Sequence, residues 1–132
     1  MNAEAAVRVL IVDDQAPFRN AARTVVGLTP GFEVVGEAAS GEEAVELAGR
    51  LTPDLVLMDI NLPGINGIEA VRRIKSGQAE TMAFLLSTYA VSDLPEGARS
   101  CGAVAYVNKE DFGPGVLRGL WDAGGDPDWA TN

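Results

Sequence analysis

Five polar residues stand at the ends of apolar runs, and their types suit phosphoryl chemistry. Asp13 and Asp14 close VRVLIV, Asp59 closes DLVLMD, Ser87 closes MAFLLS and Lys109 follows AVAYVN. Taken singly, each has an ordinary reading. Asp13 and Asp14 could open a loop and cap a helix, and Asp59 could form a turn before Pro63 and Gly64. Ser87 could bond locally and Lys109 could be a solvated cation. Coincidence at four strand ends is a poor account of the set. Three clustered carboxylates repel, by about 4 kcal/mol per pair at 4 Å and an effective dielectric of about 20. A divalent cation relieves this, and an all-oxygen donor set without His or Cys suits Mg²⁺ or Mn²⁺. Lys109 and the Ser87 hydroxyl could then hold phosphoryl oxygens while Asp59 acts as a nucleophile and becomes an aspartyl-phosphate.

Composition removes most other chemistries. The chain has 132 residues, enough for one domain with a proper core. It has no histidine, which excludes Ser-His-Asp and Cys-His catalysis, His-ligated zinc and a histidine base from this chain. Its net charge of −9 argues against direct nucleic-acid binding, which needs clustered Lys and Arg. The one cysteine, Cys101, cannot form an internal disulfide, so a reducing, cytoplasmic setting is expected. No apolar run is long enough to span a bilayer, and the first residues do not resemble a signal peptide.

The elements that must position these groups alternate. Apolar, β-branched-rich runs at 7–12, 32–38, 54–59, 82–87 and 103–108 read as strands. QAPFRNAARTVVGL places Phe18, Ala21, Ala22, Val25 and Val26 on one helical face. SGEEAVELAGRL opens with a capping box, Ser40 and Glu43. NGIEAVRRIK has Asn66 as N-cap and a basic last turn. SDLPEGARSCG reads as a short fourth helix, weakened by Pro95 and Gly97. GPGVLRGLWDAGG starts with Pro114 at N1 and stops at Gly124-Gly125. Such (βα)5 alternation predicts an α/β, doubly wound, five-stranded parallel sheet. The flavodoxin-like order 2-1-3-4-5 places a crevice at the carboxyl ends of strands one and three.

Several stretches carry a family resemblance: VLIVDD, PDLVLMDINLPGINGIEAVRRI, FLLSTYA and GAVAYVNK. Over about residues 7–122 the chain resembles the CheY-like receiver domain of bacterial two-component response regulators. DINLPGINGIEAVRRI and Lys109-Glu110 look most like receivers of the NarL/FixJ type, whose members usually carry a C-terminal helix-turn-helix. The resemblance implies that Asp59 is the phosphoacceptor. It implies that Asp14 binds Mg²⁺ directly, that Asp13 does so largely through water, and that the Asn61 backbone carbonyl completes the protein ligands. It further implies that Ser87 and Lys109 hold the phosphoryl group. Tyr106 would be a switch aromatic that turns inward when Ser87 moves. The implied donor is a phosphohistidine on a sensor histidine kinase. The implied output face joins the fourth helix, fifth strand and fifth helix, where a downstream protein would bind a monomer or a phosphorylation-dependent homodimer.

The expected organisation is an N-terminal extension over 1–6, a receiver over 7–124 and a short acidic tail over 125–132. A stand-alone receiver is favoured over a cut DNA-binding regulator, because only GDPDWATN follows the last helix. Three positions depart from the family pattern. Thr88 stands where a smaller residue is usual, Glu110 where many receivers have a cis proline, and Pro95 and Gly97 interrupt the fourth helix. An aspartyl-phosphate hydrolase of the haloacid-dehalogenase type would need a second acid at position 61, which holds Asn. A phosphorylation-independent pseudo-receiver would have lost an acid or the lysine, and all are present. A nucleotide-binding module is disfavoured because no glycine-rich phosphate loop follows the first strand.

Overall fold

Leu55–Asp59 is buried at every position, which a strand can be only when helices cover both faces of its sheet. The computed structural model describes residues 5–129. Strands β1 (Val7–Val12), β2 (Phe32–Ala38), β3 (Leu55–Asp59), β4 (Met82–Ser87) and β5 (Ala105–Asn108) are parallel, in the order β2-β1-β3-β4-β5. Helices α1 (Ala16–Gly27), α2 (Gly41–Leu51), α3 (Gly67–Gly77) and α4 (Pro114–Ala123) complete the fold. Alternating side chains of the central strands feed two cores. Val56 and Met58 pack with Ala44 and Ala48 of α2 and Val71 and Ile74 of α3. Leu55 and Leu57 pack with Ala22 and Val26 of α1 and Leu117 of α4. Ala21, expected on the buried face of α1, is exposed.

The capping signals operate. Ser40 Oγ accepts from the Glu43 N–H at 3.1 Å, and Glu43 reaches back to the Ala39 N–H at 2.8 Å. Asn66 Oδ1 accepts from the Glu69 N–H at 2.9 Å. Pro114 occupies the first turn of α4, and Gly124 ends it in the left-handed region at φ 76°.

The fourth helix is corrected. SDLPEGARSCG forms no α-helix but contributes to two single 3₁₀ turns, Val91–Asp93 and Ala98–Ser100. Leu94, which precedes Pro95, is held extended at ψ 140°, and Gly97 lies at φ 88°. Together they stop any helical run. The Lys109–Glu110 bond is trans, as are all peptide bonds among the described residues.

Segment 125–129, part of the stretch read as a tail, folds back onto the residues that lead into β5. The Asp126 N–H donates to the Val104 carbonyl at 2.9 Å, and the Trp129 indole N–H donates to the Ala103 carbonyl at 3.2 Å. The Trp129 ring is buried in the same core as Ala98, Cys101 and Ala103. It therefore adds apolar surface on the side of the sheet where the fourth connection has no α-helix. Residues 1–4 of the expected N-terminal extension and 130–132 of the tail lie outside the described residues.

Gly67 sets how closely α3 approaches β3. Its N–H donates to the Ile60 carbonyl at 2.9 Å, and a Cβ there would collide with the Asp59 carbonyl oxygen. Backbone cannot yield as a flexible side chain does. Gly67→Ala is therefore expected to lose about 2 kcal/mol in urea unfolding. A loss under about 0.5 kcal/mol would show that the helix start can shift freely.

Candidate functional site

The strand register brings the acids together. β1 pairs with β3 so that Val12 lies opposite Met58, and the next residues, Asp13 and Asp59, leave the sheet side by side. Asp59 pairs with Leu86, which places Ser87 one residue further out on the neighbouring strand. Oxygens of Asp13, Asp14 and Asp59 lie within 4.8 Å of one another. Asp13 and Asp59 are buried and Asp14 is exposed. A cleft of ≈ 350 Å³ opens there, lined by Asp14, Asp59, Asn61, Ser87, Thr88 and Lys109, with Gln15 at its rim.

Asp13 is engaged by the protein at both oxygens. Oδ1 accepts from the Gln15 N–H at 2.8 Å, and Oδ2 accepts from Lys109 Nζ at 2.6 Å. Arg19 of α1 donates to the Asp13 carbonyl at 2.7 Å and fixes the turn. Lys109 Nζ also lies 3.4 Å from Asp59 Oδ1 and 4.6 Å from the centre of the Phe18 ring. The ring face attracts the ammonium group while shielding it from water. Burial and the neighbouring Asp13 raise the Asp59 carboxyl to about 6, against the opposing pull of Lys109 and the Asn61 N–H. At neutral pH it remains mostly ionised.

Ser87 is buried and accepts weakly from the Tyr89 N–H at 3.4 Å. The Tyr106 hydroxyl lies 2.6 Å from the Tyr89 carbonyl and 3.1 Å from the Ser87 carbonyl, so it fastens the β4 exit from below. Tyr89 in turn donates to Asn61 Oδ1 at 3.2 Å and bridges the loops after β3 and β4. All the predicted residues thus converge on one end of the sheet. Sequence reasoning missed Tyr89, Gln15, Arg19 and the contact of Phe18 with Lys109. Phe18 was legible only as an apolar position of α1, and nothing local in the sequence singles out the others.

The oxygen-only donor set and polar cleft fit a small hard cation such as Mg²⁺. Asp14 and Asp59 retain acceptor capacity there, whereas Asp13 is largely committed to Lys109 and Gln15.

A parallel α/β sheet with acids and a lysine at this crevice defines a class, and comparison with known proteins gives the family. Residues 9–118 match the response regulator receiver domain, and the chain belongs to that family. It is 37% identical over 103 residues to the response regulator UvrY of Escherichia coli K12, covering 78% of this chain and 47% of that protein. It is 43% identical over 110 residues to the transcriptional regulatory protein PdtaR of Mycobacterium tuberculosis, covering 82% and 53%. The chain thus spans about half the length of these relatives. A solved LuxR-family two-component response regulator from Aurantimonas superposes with a TM-score of 0.82 at 34% identity, over 96% of this chain and 94% of that one. Phosphorylation on aspartate characterises the family, whose members are signalling phosphoacceptors. Among the described residues no helix is long and apolar enough to cross a membrane.

Proposed function

We propose that this chain accepts a phosphoryl group on Asp59 from a sensor histidine kinase and uses it to change a binding face. The observation that carries the reading is the convergence of Asp13, Asp14 and Asp59 within 4.8 Å, with Lys109 3.4 Å from the Asp59 carboxylate. Asp59 forms the new O–P bond as the N–P bond to the donor imidazole breaks. The electron pair leaves with the imidazole nitrogen, which takes a proton from water. Lys109 stabilises charge on the transferring oxygens, and the Ser87 hydroxyl donates to one of them. Asp14, Asp59 and the Asn61 carbonyl would hold Mg²⁺, with Asp13 contributing through water; bound Mg²⁺ would neutralise oxygen charge during transfer. Mn²⁺ would suit the same donors.

The readout runs through Ser87 and Tyr106. Drawing Ser87 toward a phosphoryl oxygen shifts the carbonyls that the Tyr106 hydroxyl bonds. The adjoining groove of ≈ 580 Å³ includes Tyr89, Val91, Tyr106, Val116 and Leu120, and both Val91 and Val116 are exposed. This face, made by the β4–β5 connection, β5 and α4, would receive a downstream protein or a further domain. The single buried thiol, Cys101, suits a cytoplasmic setting.

Acetyl phosphate with Mg²⁺ is expected to add one phosphoryl mass to the wild type and none to Asp59→Asn, read by intact-mass spectrometry. Hydrogen exchange of the labelled protein should change over residues 88–108. Equal labelling of the two proteins would reject Asp59, and changes confined to α1 and α2 would reject the output face.

A further inference from the structure

The loop after β3 carries Asn61, and a residue from another element bonds it. Glu42 lies in the first turn of α2, where Oε2 accepts the Ile65 N–H at 3.1 Å. That bond holds the Glu42 carboxyl below the usual carboxylate range. Besides the Ile65 bond, the Glu42 carboxyl is stabilised by its own backbone N–H and, at longer range, by Arg73, while Ser40 and Glu43 form the capping box of this turn. The loop is shaped to receive it. Gly64 adopts φ 72°, and a Cβ there would strike the Glu42 carboxylate. A Cβ on Gly41 would likewise come within 2.6 Å of the Ile65 side chain. Two glycines therefore let the start of α2 and the 62–65 turn interlock, with Glu42 as the polar fastener.

The other restraints on the loop lie at its ends and on its far side. The Ile60 N–H and carbonyl bond Leu86 and Gly67, Asn66 caps α3, and Tyr89 bonds the Asn61 side chain. The Asn61 N–H bonds the Asp59 carboxyl and the Leu62 and Ile65 side chains pack on the core, so the Glu42 bond is the polar restraint on the Pro63–Ile65 backbone. We propose that Glu42 is a positioning residue for the phosphoryl-accepting site, fixing this turn and with it the placement of Asn61 in the lining of the cleft. The proposal rests on the site reading given above. Glu42 touches neither cation nor phosphoryl group in this role. Its loss leaves the chemistry of Asp59 intact but makes ordering the loop part of cation binding. One hydrogen bond to an exposed charged acceptor is worth about a three- to tenfold change in that binding.

The test uses the whole chain as wild type, Glu42→Ala and Glu42→Gln. Thermal melts over a Mg²⁺ series give the concentration for half-maximal stabilisation. Acetyl phosphate labelling gives the rate against Mg²⁺, and hydrogen exchange in EDTA follows the Ile65 amide. Glu42→Ala should need about three- to tenfold more Mg²⁺ for half-maximal stabilisation. Its labelling rate at saturating Mg²⁺ should stay within about twofold of wild type, and its Ile65 amide should lose protection. Glu42→Gln keeps an acceptor oxygen and should recover most of the affinity. A merely structural role would lower the melting temperature without moving the Mg²⁺ midpoint. A Glu42→Ala midpoint equal to that of a Mg²⁺-responsive wild type overturns the role of Glu42 alone. A wild type indifferent to Mg²⁺ overturns the site reading, and this proposal with it.

Discussion

Replacing Lys109 with methionine is expected to cost the cation-free protein about 3 kcal/mol, or about 10 °C in melting temperature. The Lys109 ammonium lies 2.6 Å from Asp13 and 3.4 Å from Asp59, and both carboxylates are largely buried. Removing it leaves two buried anions facing each other without a cation, a far larger loss than breaking a surface pair. Methionine preserves much of the stem volume, so packing against Phe18 changes little and the charge effect dominates. Mg²⁺ at about 100 times its dissociation constant should return about 2.7 kcal/mol. Melts in EDTA and in Mg²⁺ check both numbers. A loss below about 1 kcal/mol in EDTA would mean that Asp13 and Asp59 do not depend on Lys109.

Asp59→Asn should move stability in the opposite direction, and by an amount set by pH. The folded protein raises this carboxyl from 3.8 to about 6, so the native state binds the proton more tightly than the unfolded chain does. The associated stability is complete below about pH 4 and is lost as pH rises through about 6. At about 1.4 kcal/mol per pKa unit, the loss above pH 6 is about 3 kcal/mol, or about 2 once water in the cleft is allowed for. Asparagine keeps the shape and carries no proton equilibrium. In EDTA at pH 7.5 the variant should exceed wild type by about 2 kcal/mol, and the two should converge near pH 4. Urea melts at pH 4.5, 6 and 7.5 measure the difference. A constant gap across that range would assign the effect to packing rather than to ionisation. Mg²⁺ should stabilise the wild type more than the variant, which has lost a ligand charge.

Much of this was readable because each signal was local. The strands began or ended within two residues of their apolar runs, and Ser40, Asn66 and Pro114 sat at real helix starts. The acids, serine and lysine were legible for a related reason. In a parallel sheet with both faces covered, polar groups at the carboxyl ends of several strands have one place to meet. The fourth helix failed where two local signals, Leu94-Pro95 and Gly97, outweighed the expected alternation. Tyr89 and Glu42 act across loops brought together only by the fold, so no spacing in the chain announces them. Trp129 carried a faint signal: a large apolar ring in an otherwise polar segment, which the fold buries.

The contact between Lys109 and Asp13 joins residues 96 positions apart. During synthesis the strands that carry Asp13 and Asp59 emerge and can pair long before β5 does. Any partly folded chain that has aligned β1 with β3 therefore holds two crowded carboxylates and lacks their cation. Such a species is electrostatically penalised until the last strand docks and delivers the lysine. The charge arrangement thus works as a check on completeness, favouring the five-stranded sheet over partly assembled forms of it.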